Sequence, residues 1–187
     1  MISTADFRNG MVIIQNDNLM EIVEFQHVKP GKGGAFVRTR IKNVLTGRVI
    51  DKTFRAGERM EEARLVEDRY QYLYSDGDLY HFMHVETYEQ IAVGATVVGD
   101  GKDWLKENGE LGLLFHGSEV LKMSLPNMVE LLITVSDPGV QGDRAQGGTK
   151  PATLETGATV QVPLFLNEGD TVRIDTRTGE YMERVSS

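Results

Sequence analysis

The clearest chemical feature of the sequence is an amine set among glycines, in Pro30-Gly31-Lys32-Gly33-Gly34. Extended segments flank it on both sides, so it reads as a hairpin tip. Glycine accepts positive φ and lets backbone approach another molecule closely. A lysine at the apex then projects a primary amine on a four-carbon stem. Such an amine contacts phosphate, or is acylated or alkylated. The plainer reading, a hairpin with a solvent-exposed lysine, stays open on the residues alone. A phosphate-binding Walker loop does not fit, because neither Ser nor Thr follows Lys32 and no helix starts there.

Cations gather around this loop. The window 29–55 holds 8 basic residues and one acid, Asp51. Beyond the loop, Val37, Thr39 and Ile41 alternate with Arg38, Arg40 and Lys42, so a strand would turn its apolar residues one way and its cations the other. With Lys29, these form a rail suited to phosphates, although three outward cations are also ordinary on a solvated strand. Other chemistry is poorly supplied. The four histidines are His27, His81, His84 and His116, and the chain has no Cys. His81 and His84 lie three apart in a strand-like run and should face opposite ways, which is wrong for one metal. No Gly-x-Ser-x-Gly elbow is present. Paired acids such as Glu61-Glu62 sit in polar connecting sequence. Tyr70, Tyr72 and Tyr74 should share one strand face and pack a core, or stack bases.

Short strands divided by Gly and Asn turns must position these groups. In the first third, residues 12–14, 19–28, 35–44 and 48–54 read as strands, with turns at Asn16-Asp17-Asn18 and Thr46-Gly47, and suggest a small barrel. The stretch 58–62 reads as a connection. In the second third, strands at 70–74 and 79–85 flank the turn Ser75-Asp76-Gly77-Asp78, and 87–92 and 102–107 read as short helices. After Leu125-Pro126-Asn127 come strands at 128–135, 159–165 and 171–175 and a hairpin at Thr176-Arg177-Thr178-Gly179. The loop 139–149 is Gly-rich and polar, and should be exposed and mobile. Domains of residues 1–64, 65–127 and 128–187 follow.

Composition agrees with a globular protein: 187 residues, 40% hydrophobic and 26% charged. The net charge of −8 is unevenly spread, at +3 over residues 1–64, −7 over 65–128 and −4 over 129–187. Such asymmetry points to a nucleic-acid face in the first third. The absence of Cys favours a reducing compartment. The amino terminus has no signal-peptide pattern, and no run approaches the roughly 18 apolar residues of a membrane helix. The expectation is a cytoplasmic monomer with no membrane partner and no cofactor.

Several stretches resemble the elongation factor P family. Residues Phe25-Gln26-His27-Val28-Lys29-Pro30-Gly31-Lys32-Gly33-Gly34-Ala35-Phe36-Val37-Arg38 are similar to its first-domain hairpin, and Lys52-Thr53-Phe54-Arg55-Ala56-Gly57-Glu58 to the segment after it. Lys150-Pro151-Ala152 runs through Gly157, Val160, Val162-Pro163, Leu166 and Gly169 in the family's pattern, and Asp175-Thr176-Arg177-Thr178-Gly179-Glu180-Tyr181 matches near the end. The resemblance covers the whole chain in the right order.

The resemblance implies an all-β protein of three small barrels, an SH3-like first domain and two OB-like domains, in an L-shaped, tRNA-like body. It implies a non-enzymatic translation factor that binds both ribosomal subunits between the peptidyl and exit tRNA sites. There Lys32 would reach the acceptor end of peptidyl-tRNA and promote stalled peptide bonds, above all in proline runs. The family attaches different groups to the tip lysine, so a Lys32-modifying enzyme is a further implied partner. Gly33-Gly34 departs from the Gly-Gln of the β-lysyl branch. A third-domain Gly-Asp-Thr motif that meets the exit-site codon region is matched by Gly142-Asp143-Arg144, with Arg in place of Thr. Two other readings remain: a paralogue with a different target, and a β-rich enzyme with an unrecognised site.

Overall fold

The structure is a computed structural model that describes residues 1–139 and 147–185. Strands dominate it. The first sheet contains β1 (Ile2–Ser3), β2 (Val12–Gln15), β3 (Asn18–Val28), β4 (Phe36–Asn43), β5 (Val49–Arg55) and β6 (Arg59–Ala63), in the order β1-β6-β2-β3-β4-β5. Asn16 and Asp17 both adopt positive φ, at 49° and 59°, which gives a two-residue turn whose twist suits the β2–β3 hairpin. Alternation in β4 does what the pattern asks: Val37, Thr39 and Ile41 are buried, and Arg38, Arg40 and Lys42 are exposed. Thr39 is a polar group inside that face, satisfied because its hydroxyl donates to the Lys52 carbonyl at 2.7 Å. The core gathers Phe7, Ile13, Met20, Ile22, Val37, Ile41, Phe54 and Met60. Phe7 stands edge-on to Phe54 at 5.6 Å.

The stretch 58–62, expected as a connection, is a correction: most of it is β6, which pairs with both β1 and β2. Its burial runs Met60 in, Glu61 and Glu62 out, Ala63 in, so no period of two is visible along it.

The second sheet has β7 (Leu65–Ser75), β8 (Leu79–His84), β9 (Gln90–Gly94), β10 (Glu110–His116) and β11 (Glu119–Ser124), in the order β11-β10-β7-β8-β9. The helix expected at 87–92 is corrected too, and the one expected at 102–107 is helical only over 102–104. Tyr88 takes positive φ, and Gln90 opens a strand paired along β8. Helical turns fall at α1 (Ala95–Val98) and in a 3-10 segment, Gly99–Trp104, which begins and ends three residues earlier than expected. The tyrosine stripe is also broken. The register of β7 on β8 shifts between Tyr72 and Tyr74, so Tyr70 opposes His84, Tyr72 opposes Phe82 and Tyr74 opposes His81. This bulge turns Tyr74 onto the other face. Tyr70 is buried, whereas Tyr74 is 55% exposed and stacks on His81 at 4.4 Å.

The third sheet has β12 (Met128–Ser136), β13 (Thr149–Leu154), β14 (Thr159–Pro163), β15 (Thr171–Asp175) and β16 (Glu180–Arg184), in the order β14-β13-β12-β15-β16. Leu131, Ile133, Leu154, Val162, Leu166, Val172 and Ile174 fill its core. β13 is tolerated despite Pro151 because its register with β12 ends at Ala152, where the missing N–H is no longer needed. Compact packing divides the chain in two. One unit holds Met1–Val66 with Phe115–Leu121, and the other holds Glu67–Leu114 with the chain from Lys122 onward.

Candidate functional site

The loop 29–35 caps the longest ribbon of the first unit. β3 and β4 pair antiparallel up to His27 with Val37 and Val28 with Phe36, so the arms are held to the base of the loop. The far side is closed as well, since the Ala56 amide donates to the Ala35 carbonyl at 3.1 Å. Every residue from Lys29 to Ala35 is exposed. Gly33 adopts φ of 104°, which a side chain resists even though a Cβ there would meet nothing closer than Pro30 Cγ at 4.0 Å. A Cβ at Gly31 or Gly34 would meet nothing within 4 Å, so those glycines leave the backbone open to a partner. No hydrogen bond or ion pair holds Lys32 among the described residues. Its amine is presented on a stem free to move, at the end of a stiff two-stranded support.

The cationic face behind the tip is more mixed than its sequence window. Arg40 lies between Glu24 at 3.9 Å and Asp51 at 3.7 Å, and Lys42 faces Glu21 at 3.7 Å. Glu21 and Glu24 precede the basic window in sequence, yet antiparallel register sets them directly across from Lys42 and Arg40. These are exposed, loose pairs that add little stability, but they reduce the field near Arg40 and Lys42. Arg38 differs. It opposes Gln26 and Thr53, and its guanidinium lies 5.5 Å from the Phe36 ring centre. Arg55, which sequence reading did not single out, is placed opposite Phe36 and so beside the tip end of β4. The signal for it was the β4–β5 pairing, which a linear window does not contain. Lys29, Lys32, Arg38 and Arg55 are thus cations near the tip without a carboxylate partner among the described residues, as are Arg48 and Lys52 farther along β4–β5, where Lys52 lies 5.5 Å from the Phe54 ring centre. A shallow concavity of about 470 Å³ opens on the same face, lined by Arg38, Arg40, Lys52, Glu24 and Asp51 among others.

The remaining candidates fall elsewhere. Gly142, Asp143 and Arg144 lie outside the described residues. His81 binds Asp76 through Nε2 at 2.9 Å, while His84 Nδ1 accepts from the Glu86 and Thr87 amides at 3.1 and 3.2 Å. The two rings serve different turns on opposite faces of the sheet.

Comparisons with known proteins converge. Family models for the elongation factor P KOW-like domain, the elongation factor P OB domain and the elongation factor P C-terminal region match residues 3–60, 65–123 and 129–184. Elongation factor P of Acetivibrio thermocellus is 52% identical over 185 residues, covering 99% of this chain and 100% of that one. Elongation factor P of Saccharopolyspora erythraea is 54% identical over 187 residues, covering 100% of both. Among solved structures, a translation initiation factor eif-5a family protein from Naegleria fowleri aligns with a TM-score of 0.53 at 17% identity, over 66% of this chain and 96% of that one. That likeness speaks to the fold. No helix among the described residues is long and apolar enough to cross a membrane. Matched from end to end by these relatives, the chain belongs to the elongation factor P family of translation elongation factors.

Proposed function

We propose that this protein binds the ribosome between the peptidyl and exit tRNA sites and promotes peptide bonds that stall, above all in proline runs. The observation that carries the reading is the exposed Lys32 on its glycine loop, without a partner among the described residues, with Lys29, Arg38 and Arg55 in the loop and on the strands at its base. Pro30, Gly31, Gly33 and Gly34 shape the loop, and Lys32 meets the acceptor end of peptidyl-tRNA. Lys29 and Arg38 contact phosphates, with Arg55 added by the strand register. Arg40 and Lys42 contribute less, because carboxylates already face them. Gly142, Asp143 and Arg144 belong to the same proposal as a contact near the exit-site codon. So do three domains at 1–64, 65–127 and 128–187 and a cytoplasmic monomer that turns over no substrate and needs no cofactor.

The mechanism is positioning. Proline's ring locks φ and leaves a secondary amine, so prolyl substrates meet the reacting geometry poorly. The ribosome gains rate by holding two substrates in line, and a misplacement of about 1 Å costs on the order of 10²-fold. A rescue of 10- to 100-fold takes only about 1.4–2.7 kcal/mol off the barrier. A few contacts from the tip to the acceptor end supply that without proton transfer by Lys32. A group added to the Lys32 amine by a modifying enzyme would lengthen its reach, and the intact mass of protein from the native host would reveal it.

The test is co-sedimentation with ribosomes that hold peptidyl-tRNA and a vacant exit site. Binding should be saturable and should fall as salt rises, because phosphate contacts release counterions. Absence of saturable binding would reject this function and favour a paralogue with another target or an enzyme.

A further inference from the structure

Within the second compact unit, one side chain ties the second sheet to the third. Trp104 ends the 3-10 segment Gly99–Trp104, which belongs to the second sheet's part of the chain. Its indole nevertheless packs against the core cluster of the third sheet, together with Val129 and Tyr181. The receiving surface is shaped for it. Gly179, in the β15–β16 turn, adopts φ of 74°, and a Cβ there would stand 3.2 Å from Trp104 Cζ2 and 3.6 Å from Cη2. A side chain at 179 would therefore press on the indole, which would have to give by a few tenths of an ångström.

Polar contacts flank the ring on both sides. The Thr156 hydroxyl, in the β13–β14 turn, donates to the Asp103 carbonyl at 2.6 Å. The Lys106 ammonium donates to the Glu130 carbonyl at 3.2 Å and lies 3.6 Å from Glu155. The Thr176 hydroxyl donates to the Pro126 carbonyl. The run 103–106 thus reaches β12 and the β13–β14 turn by hydrogen bonds and the β15–β16 turn through the indole. Only three residues, Leu125 to Asn127, link β11 to β12, so a short tether and a wedged aromatic act together.

We propose that Trp104 is a positioning residue that locks the second and third sheets into one rigid body, with Gly179 as the seat that admits its ring. An aromatic wedge suits this role because it buries a large flat area with few rotatable bonds. A contact made at the far end of the third sheet is then transmitted to the second without slack. This matters for the proposed function, on which the activity part of the inference rests, because a factor that works by positioning loses its effect when its body bends.

Residual dipolar couplings on the full chain test the lock without reference to ribosomes. In the wild type, amides of residues 67–114 and of β12–β16 should fit one alignment tensor. Trp104→Ala should give two different tensors while each sheet keeps its own amide pattern, and Trp104→Phe should restore one. Should Trp104→Ala unfold the third sheet, Gly179→Ala is the second variant. It keeps the indole but crowds its seat, and should separate the tensors and shift the emission of the chain's single Trp to longer wavelength. One shared tensor in a folded Trp104→Ala, or in Gly179→Ala with unshifted emission, overturns the lock, as do two tensors in the wild type. In translation of a proline-run message, Trp104→Ala should lower the yield about tenfold and Trp104→Phe should recover it. Undiminished yield alongside separated tensors overturns the positioning role. A wild type without saturable ribosome binding would reject the proposed function instead, and leaves the tensor result standing.

Discussion

The tip of the β3–β4 hairpin and the turn of the β15–β16 hairpin both carry cations on an antiparallel ribbon, and they use them in opposite ways. At the first, Lys29, Lys32, Arg38 and Arg55 have no carboxylate partner among the described residues. At the second, each arginine is held. Arg173 bridges Glu130 and Glu183, Arg177 grips Asp175 at 2.8 Å, and Arg184 meets Asp170 at 2.8 Å. Asp175 is buried and also accepts the Arg177 amide, so its pair completes a turn. A partner that carries phosphates can reach the cations of the first ribbon without breaking anything. Cations of the second would have to leave their carboxylates first. Which cations are available is therefore set by register and burial, and a count along the chain does not show it.

Neutralising the free set should have the largest effect. Lys29, Arg38 and Arg55 changed together to Gln should weaken ribosome binding and make its logarithmic salt slope shallower by about 3, one for each phosphate left without its cation. Changing Arg173, Arg177 and Arg184 together should leave the slope nearly untouched. An equal change in slope from both triples would dissolve the contrast. Stability should respond the other way round. Arg177→Met should lower the melting temperature by a few degrees, and Arg38→Met should leave it close to wild type, as calorimetry would show.

Acid sharpens the contrast further. The Arg177 guanidinium and amide hold the Asp175 carboxyl at about 2, below its ordinary 3.8. Its folded value is depressed, so its contribution to stability is complete above that ordinary value and is lost as pH falls from about 4 to about 2. Asp175→Asn should flatten that part of the acid limb in pH-dependent unfolding curves. Gly33→Ala should cost more than about 1 kcal/mol through its positive φ, read from thermal melts. The smallest effect is expected at its neighbour, where Gly34→Ala should be nearly silent in stability.

The sequence shows the loop clearly because Pro30 and the surrounding glycines punctuate a long extended run. It shows the inner face of β4 through alternation at Val37, Thr39 and Ile41. It hides what depends on partners across the sheet. Arg55 joins the tip only through the β4–β5 register, and Glu21 and Glu24 blunt the rail only through the β3–β4 register. β6 escapes notice because its burial breaks alternation, and β13 because Pro151 argues against a strand. β9 reads as a helix because five residues are too few to show a period. Tyr74 changes face through a bulge that no residue type announces.

The central claim is that Lys32 is the working tip and acts by positioning. Its most direct test is peptide yield from two messages, one coding three consecutive prolines and one coding none, with wild-type factor and with Lys32→Ala. The variant should keep its fold and most of its ribosome binding, translate the proline-free message normally, and lose the 10- to 100-fold rescue that about 1.4–2.7 kcal/mol of positioning provides. Full rescue of the proline message by Lys32→Ala would contradict the account.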